Sequence, residues 1–507
     1  MQKPFTGFFP LSKTPAPLRP AETTNQITGR RMLLLTLAIT LLLTGIFPLA
    51  AFANPLNETI SREDQALIRQ VILENYVIDI DPAKLETITV DSLAALLDEN
   101  SYYLPDWYMQ ELMEEYSGEF EGIGAYIMED GDRIIIAEPM PDSPAEKAGL
   151  LPGDQIVAVD GKSLEGLTVD DAVRLIKGPA GTEVRLYIRR AGHDSPVVFS
   201  ITRQQIVVSS VRDRVFDGMI GYLEVRQFSD HTTEYTQKAI DDFRASGITK
   251  LIIDLRGNPG GLLMEGVEFS RLFIPRGPVV HVFYREGSIT YSSYLGEEPF
   301  ENIVVLVDEN SASAAEIFAA AFKDRGNGII VGEPTYGKGS VQRLYPLPSG
   351  AGFKLTEAIY LSPDYATIDG MGINPAINML RFHPNHDPEK LLPLEINRKP
   401  LLGEQGEDIA AAQQRLRNMG YSITDPAGAF GTSTQEAVKA FQEDQGLFPY
   451  GVLDFSTQRR LQRTYISWLL APEQDMQLTT ALYYLRGNRS SHMGVEPIPF
   501  GSPAVNQ

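Results

Sequence analysis

The chain has 507 residues, 43% of them hydrophobic and 22% charged, with a formal net charge of -22 and no cysteine. That length fits about two to four globular domains, and the composition excludes a disordered or fibrous chain. The acidity argues against nucleic acid and anionic membrane surfaces as partners, and the lack of thiols excludes a Cys nucleophile, a disulfide framework and thiolate metal sites.

Residues 1–31 carry Lys3, Lys13, Arg19, Arg30 and Arg31 against Glu22 alone, and an uncharged run from Met32 to Phe52 ends in Ala51-Phe52-Ala53. A basic region, an apolar region and a small-x-small site follow the order of a secretory signal peptide. The run is also long enough to remain as a membrane anchor. Either outcome for residues 1–53 exports the rest of the chain. Residues 54–115 have helical spacing, with Ala66, Leu67, Ile68, Val71 and Ile72 and then Leu93, Leu96 and Leu97 on apolar faces. Asp91-Ser92 and Asp106 are the expected N-caps, and the region reads as a helical preamble outside the catalytic unit.

Residues 116–205 form a mostly-β module. Strands are predicted over Ala125–Met128, Ile134–Ala137, Gln155–Val159 and Val184–Arg189, and a helix begins after Thr168. Residues 206–382 alternate. Strands are expected at Ile220–Val225, Leu251–Leu255, Val304–Val307 and Ile329–Val331, with helices at Thr232–Ser246, Leu263–Leu272 and Ala314–Arg325. That alternation points to an α/β layer fold. Residues 383–400 read as a linker, 401–465 as a small all-helical unit, and 466–507 as a helix near Leu478–Leu485 with a flexible tail. The fold class is therefore multidomain α+β.

The chemistry concentrates in three segments. Asp308-Glu-Asn-Ser311-Ala-Ser313-Ala-Ala-Glu316 joins an apolar strand to an Ala-rich helix. A serine at such a junction is exposed beside the free N–H groups and positive end of the helix dipole, where an oxyanion is stabilised. The same residue type also serves as a helix cap. Gly337-Lys338-Gly339-Ser340-Val341-Gln342 enters a strand-like stretch, in which Lys338 and Gln342 share a face. A lysine acts as general base where desolvation lowers its pKa. Gly332 to Lys338 also matches G-x-x-x-x-G-K, but Gly339 stands where Ser or Thr should hold magnesium, and no helix follows. The nucleotide reading is rejected. The histidines are His193, His231, His281, His383, His386 and His492, none of them in a nucleophile motif. His383-x-x-His386 has metal-like spacing without further ligands.

Together, Asp254-Leu-Arg-Gly-Asn-Pro-Gly-Gly261, Ser311-Ala-Ser-Ala-Ala-Glu316 and Gly332-Glu-Pro-Thr-Tyr-Gly-Lys-Gly-Ser-Val-Gln342 resemble the core motifs of the carboxyl-terminal processing (tail-specific, S41) serine peptidases. The resemblance implies Ser313 as nucleophile in preference to Ser311, Lys338 as general base and Gln342 as the lysine-orienting amide. It places the oxyanion pocket on the backbone of Gly260, Gly261 and Ala314. The mostly-β module is similar to a PDZ domain, whose carboxylate-binding loop maps onto Gly122-Ile123-Gly124-Ala125; a peptide would add there as a strand. Lys177 stands where the family usually has arginine, and Leu97-Asp-Glu-Asn-Ser101 replaces the usual Leu-Asp-Pro-His-Ser. The helical unit, with Leu416, Gly420-Tyr421, Ala429-Phe430-Gly431 and Phe441-Gln442, resembles a peptidoglycan-binding domain.

These resemblances imply an exported, envelope-associated endopeptidase. It acts on proteins with accessible C-termini, is tethered to peptidoglycan, dimerises through its N-terminal helices, and needs no metal or cofactor. Two other readings fit the same features: a non-catalytic wall-associated PDZ scaffold, and a Ser-Lys hydrolase of non-peptide amides or esters.

Overall fold

The computed structural model describes residues 60–487 apart from 132, 191 and 385. The signal-like segment and its apolar run lie outside the described residues. Among the described residues no helix is long and apolar enough to cross a membrane. The chain opens with helices α1 (Arg62–Asn75) and α2 (Val90–Leu96), strand β1 (Tyr102–Leu104) and helix α3 (Asp106–Ser117). Two expected caps are corrected. Thr89, extended at φ -131°, caps α2 in a reciprocal pair with Ser92, so Asp91 lies inside the helix. Asp106 is the first residue of α3, behind Pro105.

The β-rich module comprises β2 (Glu119–Gly122), β3 (Ala125–Asp130), β4 (Arg133–Pro139), α4 (Pro144–Lys147), β5 (Gln155–Val159), β6 (Lys162–Ser163), α5 (Val169–Ile176), β7 (Glu183–Arg189), β8 (Val197–Thr202) and β9 (Gln204–Val207). Strand alternation builds its core: Val184, Leu186 and Ile188 of β7 point inward while Glu183, Arg185 and Arg189 stay exposed. Thr168 and Asp171 close a capping box at the start of α5. The sheet order β3-β4-β5-β7-β8 leaves β3 at an edge, next to α5, and β2 pairs with β9 as a two-stranded stem.

The next unit runs through β10 (Val211–Phe216), β11 (Ile220–Val225), α6 (Thr232–Ala245), β12 (Lys250–Asp254), α7 (Leu263–Arg271), β13 (Gly277–Tyr284), β14 (Gly287–Ser293), β15 (Asn302–Val307), α8 (Ala314–Arg325), β16 (Gly328–Gly332), β17 (Ser340–Pro346), β18 (Gly352–Leu361) and β19 (Ile377–Asn378). One sheet has the order β10-β11-β12-β15-β16-β19, parallel from β11 onward with β10 antiparallel at the edge. Its central strands β12 and β15 read as nearly continuous apolar runs, as burial on both faces requires. Helix α8 is buried from Ala314 to Phe322, and its small alanines let Gly266 of α7 approach closely. A second sheet joins β1, β18, β13 and β14, with β17 also on β18.

Two expectations about the ends of this unit are corrected. The N-terminal helices are not a detached preamble: Ile68, Ile72, Tyr76 and Leu93 share one core with Phe353 and Leu355, and β1 pairs with β18, setting Tyr102 opposite Lys354. The chain also returns to the sheet after its helical domain. That domain consists of α9 (Glu407–Asn418), α10 (Thr432–Asp444) and α11 (Phe455–Leu469), and is followed by α12 (Met476–Leu485). Leu478, Ala481, Leu482 and Leu485 of α12, at helical spacing, cover Tyr222, Ile252, Val304, Leu306 and Val331 on the sheet face opposite α6–α8. The segment read as a linker is partly structural too, because Leu394 is buried with Ile409, Leu416 and Phe441.

Candidate active site

The three motif segments leave the carboxyl ends of adjacent parallel strands: 255–261 follows β12, 308–313 follows β15, and 333–338 follows β16. Loops at that end of a parallel sheet are where such folds gather their chemistry. Ser313 ends the turn after β15 at φ 55°, ψ -115°, a strained conformation for a residue with a Cβ. The turn is held by its neighbours. Asp308 Oδ1 accepts from Gly257 N (2.8 Å), Asn310 N (3.1 Å) and Ser311 Oγ (3.2 Å), and Ala312 N donates to Asn258 O (2.9 Å). Ser311 is fully buried and its hydroxyl donates to Leu255 O (2.8 Å), which makes it structural; Ser313 remains partly accessible.

A buried carboxylate joins the Ser313 turn to that of Lys338. Glu316 Oε2 accepts from Ser313 N (2.9 Å) and Lys338 N (2.8 Å), while Oε1 accepts from Thr335 Oγ1 and Gly337 N, both at 2.6 Å. Burial pushes this carboxyl's pKa up, and the four hydrogen bonds oppose the rise. Tyr360, fully buried on β18, ties the same two residues again: its hydroxyl donates to Ser313 O (3.1 Å) and to Lys338 O. Glu316→Gln would set an amide NH2 against N–H donors. We expect a fall in kcat of about 10²-fold from misplacing Ser313 and Lys338, with a lower melting temperature, checked by steady-state kinetics and circular dichroism.

Ser313, Lys338, Gln342 and Gly261 line one cavity of about 140 Å³. Burial lowers the Lys338 pKa to about 7, with the Lys354 ammonium as the next cause, against a raising effect from Glu316, Asp98 and Glu99. Gln342 follows a β-bulge, and its amide nitrogen donates to Ser340 Oγ (2.9 Å) and Thr356 Oγ1 (3.2 Å). Lys338 itself precedes the strand, so the two share a cavity rather than a strand face. Gly260 sits where a Cβ would fall 2.6 Å from Ser313 Cβ, at φ +100°. Its N–H donates to Asn258 Oδ1 (2.8 Å), which corrects the expectation that it serves an oxyanion. Neither Gly261 N–H nor Ala314 N–H has a protein acceptor among the described hydrogen bonds.

Sequence reasoning missed the far wall of this cavity. Tyr102, Tyr108, Leu112 and Glu115 come from the region read as a preamble, Tyr116 from the first position assigned to the mostly-β module, and Lys354 and Tyr360 from β18. Their signal lay in β18, where Lys354 stands in a mostly apolar strand. The Leu97–Ser101 departure borders the chemistry as well: Asp98 and Glu99 act on Lys338, and Ser101 Oγ accepts from Thr356 N (2.9 Å).

In the β-rich module, Gly122-Ile123-Gly124-Ala125 forms the turn between β2 and β3, with Gly124 at φ +73° against Ser143. The carbonyls of Ile123 and Gly124 accept from Ala145 N and Met140 N, while their own N–H groups have no protein acceptor among the described hydrogen bonds. Lys177, just after α5, pairs with Glu114 of α3, the neighbour of cavity-lining Glu115. His386 packs edge-on against Trp468, and no group of three or more metal-ligating side chains occurs among the described residues.

The family model for Peptidase family S41 matches residues 219–379, that for the PDZ domain residues 135–190, and that for a peptidoglycan binding domain residues 405–461. The chain is 35% identical over 393 residues to the carboxy-terminal processing protease CtpA of Bacillus subtilis, covering 77% of this chain and 83% of that one. It is 34% identical over 420 residues to CtpB of the same organism, covering 82% and 86%. Among solved structures, the photosystem II D1 C-terminal processing protease is 28% identical, with a TM-score of 0.40 over 66% of this chain and 96% of that one. The fold and the matched domains define a serine peptidase carrying a PDZ domain and a peptidoglycan-binding domain. The chain belongs to the S41 family of carboxy-terminal processing proteases.

Proposed function

We propose that the chain is an exported endopeptidase in which Lys338 deprotonates Ser313 for attack on a peptide carbonyl, with the PDZ domain presenting protein C-termini. The observation that carries this reading is the single Glu316 carboxylate that holds the backbone N–H groups of both Ser313 and Lys338 at one cavity. Attack forms a bond from Ser313 Oγ to the carbonyl carbon, and the hydroxyl proton passes to Lys338. The resulting oxyanion lies with the Gly261 and Ala314 N–H groups. Collapse expels the amine, which takes the proton from Lys338, and leaves an acyl-enzyme; water then hydrolyses the ester with the same lysine as base. The Gln342 amide nitrogen is engaged with Ser340 and Thr356, so its oxygen is the acceptor that would orient the Lys338 ammonium.

The exposed edge of β3, the free N–H groups of the Ile123–Gly124 turn and the neighbouring α5 suit an added peptide strand ending in a carboxylate. The peptidoglycan-binding domain supports residence in the cell envelope, close to the wall. Residues 54–507 and the Ser313→Ala variant, incubated with an unfolded protein bearing an apolar C-terminus, test the reading by mass spectrometry of fragments. Cleavage by the first alone supports it, and equal cleavage by both refutes it. Because the base must be neutral, activity is lost as pH falls through the Lys338 pKa of about 7. We therefore expect kcat/KM to drop about tenfold per unit on the acid side, read from a pH profile.

A further inference from the structure

Lys354 lines the catalytic cavity and has no part in the steps above. It lies on β18, opposite Tyr102 of β1 and Leu344 of β17, with its Nζ 5.5 Å from the Tyr102 ring centroid. Tyr360 of the same strand lines the same cavity, and its hydroxyl bridges Ser313 and Lys338. Two lysine side chains therefore enter one small cavity from different strands and loops. Two like charges held in one small cavity oppose each other, so keeping both ammonium groups charged there is costly.

The surrounding groups decide which lysine keeps the proton. From α3, Glu115 faces the cavity, its carboxylate accepting from Gln227 Nε2 (2.8 Å), and Tyr108 and Tyr116 stand beside it. From the segment before β1 come Asp98, whose buried Oδ1 has no hydrogen-bond partner, and Glu99. From α8 comes Glu316, but both its oxygens are saturated by four protein donors around Lys338. Glu115 is thus the carboxylate lining the cavity that is not committed to the Ser313–Lys338 scaffold.

We propose that Lys354 is a positioning residue that holds the cavity's single ammonium charge against Glu115 and Asp98, and so keeps Lys338 unprotonated as the general base. The inference rests on the Ser-Lys reading for its catalytic meaning. After burial, Lys354 is the largest cause lowering the Lys338 pKa; burial lowers the Lys354 pKa too, and there the Glu115 and Asp98 carboxylates oppose the fall. A neighbouring cation makes a lysine a working base or nucleophile near neutral pH.

The test compares pH profiles of kcat/KM for wild type, Lys354→Met, Lys354→Gln and Lys354→Arg in residues 54–507. Removing the positive charge raises the Lys338 pKa, so the acid limb should move up by about one pH unit in the Met and Gln variants. At a pH below the wild-type midpoint this is about a tenfold loss. Lys354→Arg keeps the charge and should keep the midpoint. A residue that only supports the fold would lower the rate at every pH without moving the limb. An unmoved midpoint in the folded Met or Gln variant, or an equal shift in the Arg variant, overturns the proposal. The charge placement is read separately, without turnover, by competitive acetylation of Lys338 against pH in a Ser313→Ala background. There the Lys338 labelling midpoint should rise by about one unit on adding Lys354→Met. Activity surviving in Lys338→Ala would overturn the Ser-Lys reading and, with it, the catalytic role given to Lys354. A labelling midpoint that stays put would overturn the charge placement alone.

Discussion

Replacing Lys338 by alanine is expected to lower kcat/KM by at least about 10⁴-fold, and Ser313→Ala by a similar factor. The double variant should be scarcely worse than either single one, because a nucleophile and its base act as one unit. The structure gives the physical reason. An unactivated serine hydroxyl is a weak nucleophile, and among the described residues no histidine lines the Ser313 cavity; Lys338, with its pKa lowered to about 7, does line it. The Tyr360 and Glu316 bonds run to main-chain atoms of residue 338, so they should survive the Lys338→Ala change. Loss of activity with an unchanged melting temperature would therefore isolate the chemistry from the fold. Steady-state kinetics on a peptide substrate, with calorimetry on the same samples, checks both.

The second large effect concerns stability. Arg256 follows the end of β12 and immediately precedes the glycine turn beside Ser313. Its side chain is nearly inaccessible, pairing with Asp254 (2.5 Å) and, through Nη1, with Asp475 (2.7 Å) and Gln477 Oε1 (3.0 Å). Tyr222 Oη donates to Asp254 Oδ2 (2.6 Å), and Arg381 Nε reaches Asp475 Oδ2 (3.2 Å). Asp475 also caps α12 by accepting from Leu478 N (2.9 Å). Asp475→Ala thus removes the cap and leaves Arg256 and Arg381 under-compensated, the first of them in a dry environment. Breaking a buried pair from one side costs about 3–5 kcal/mol, so the protease unit's calorimetric transition should fall by about 10 °C. Because Arg256 adjoins the Gly257–Gly261 turn, kcat should fall as well. A melting temperature within about 1 °C of wild type would show that α12 is only draped on the sheet.

The difference between what the chain reveals as text and what it reveals as a fold follows from the range of the interactions. Ser313, Lys338 and the Gly260–Gly261 turn were legible because each sits in a short loop directly after a parallel strand, where local pattern and chemistry coincide. Lys354 and Tyr360 belong to one mostly apolar strand, but nothing local says that β18 meets Ser313. That meeting depends on β17 and β1 flanking β18, the latter a pairing across some 250 positions of chain. The cavity wall of Tyr108, Glu115 and Tyr116 was misread for the same reason: an amphipathic helix advertises a buried face, not its partner. Helix α12 showed apolar spacing without showing that it returns to the sheet after the intervening helical domain. At Gly260 the error was different. The resemblance gave its backbone an oxyanion role, but its N–H is consumed by Asn258, which a sequence cannot show.

The most direct measurement is labelling of residues 54–507 with a serine-directed fluorophosphonate, with the adduct located by mass spectrometry across pH. The expected result is a single adduct on Ser313, forming with an acid limb near pH 7 and suppressed in Lys338→Met. An adduct on Ser311, or labelling of Ser313 at the same rate in Lys338→Met, would contradict a serine activated by that lysine.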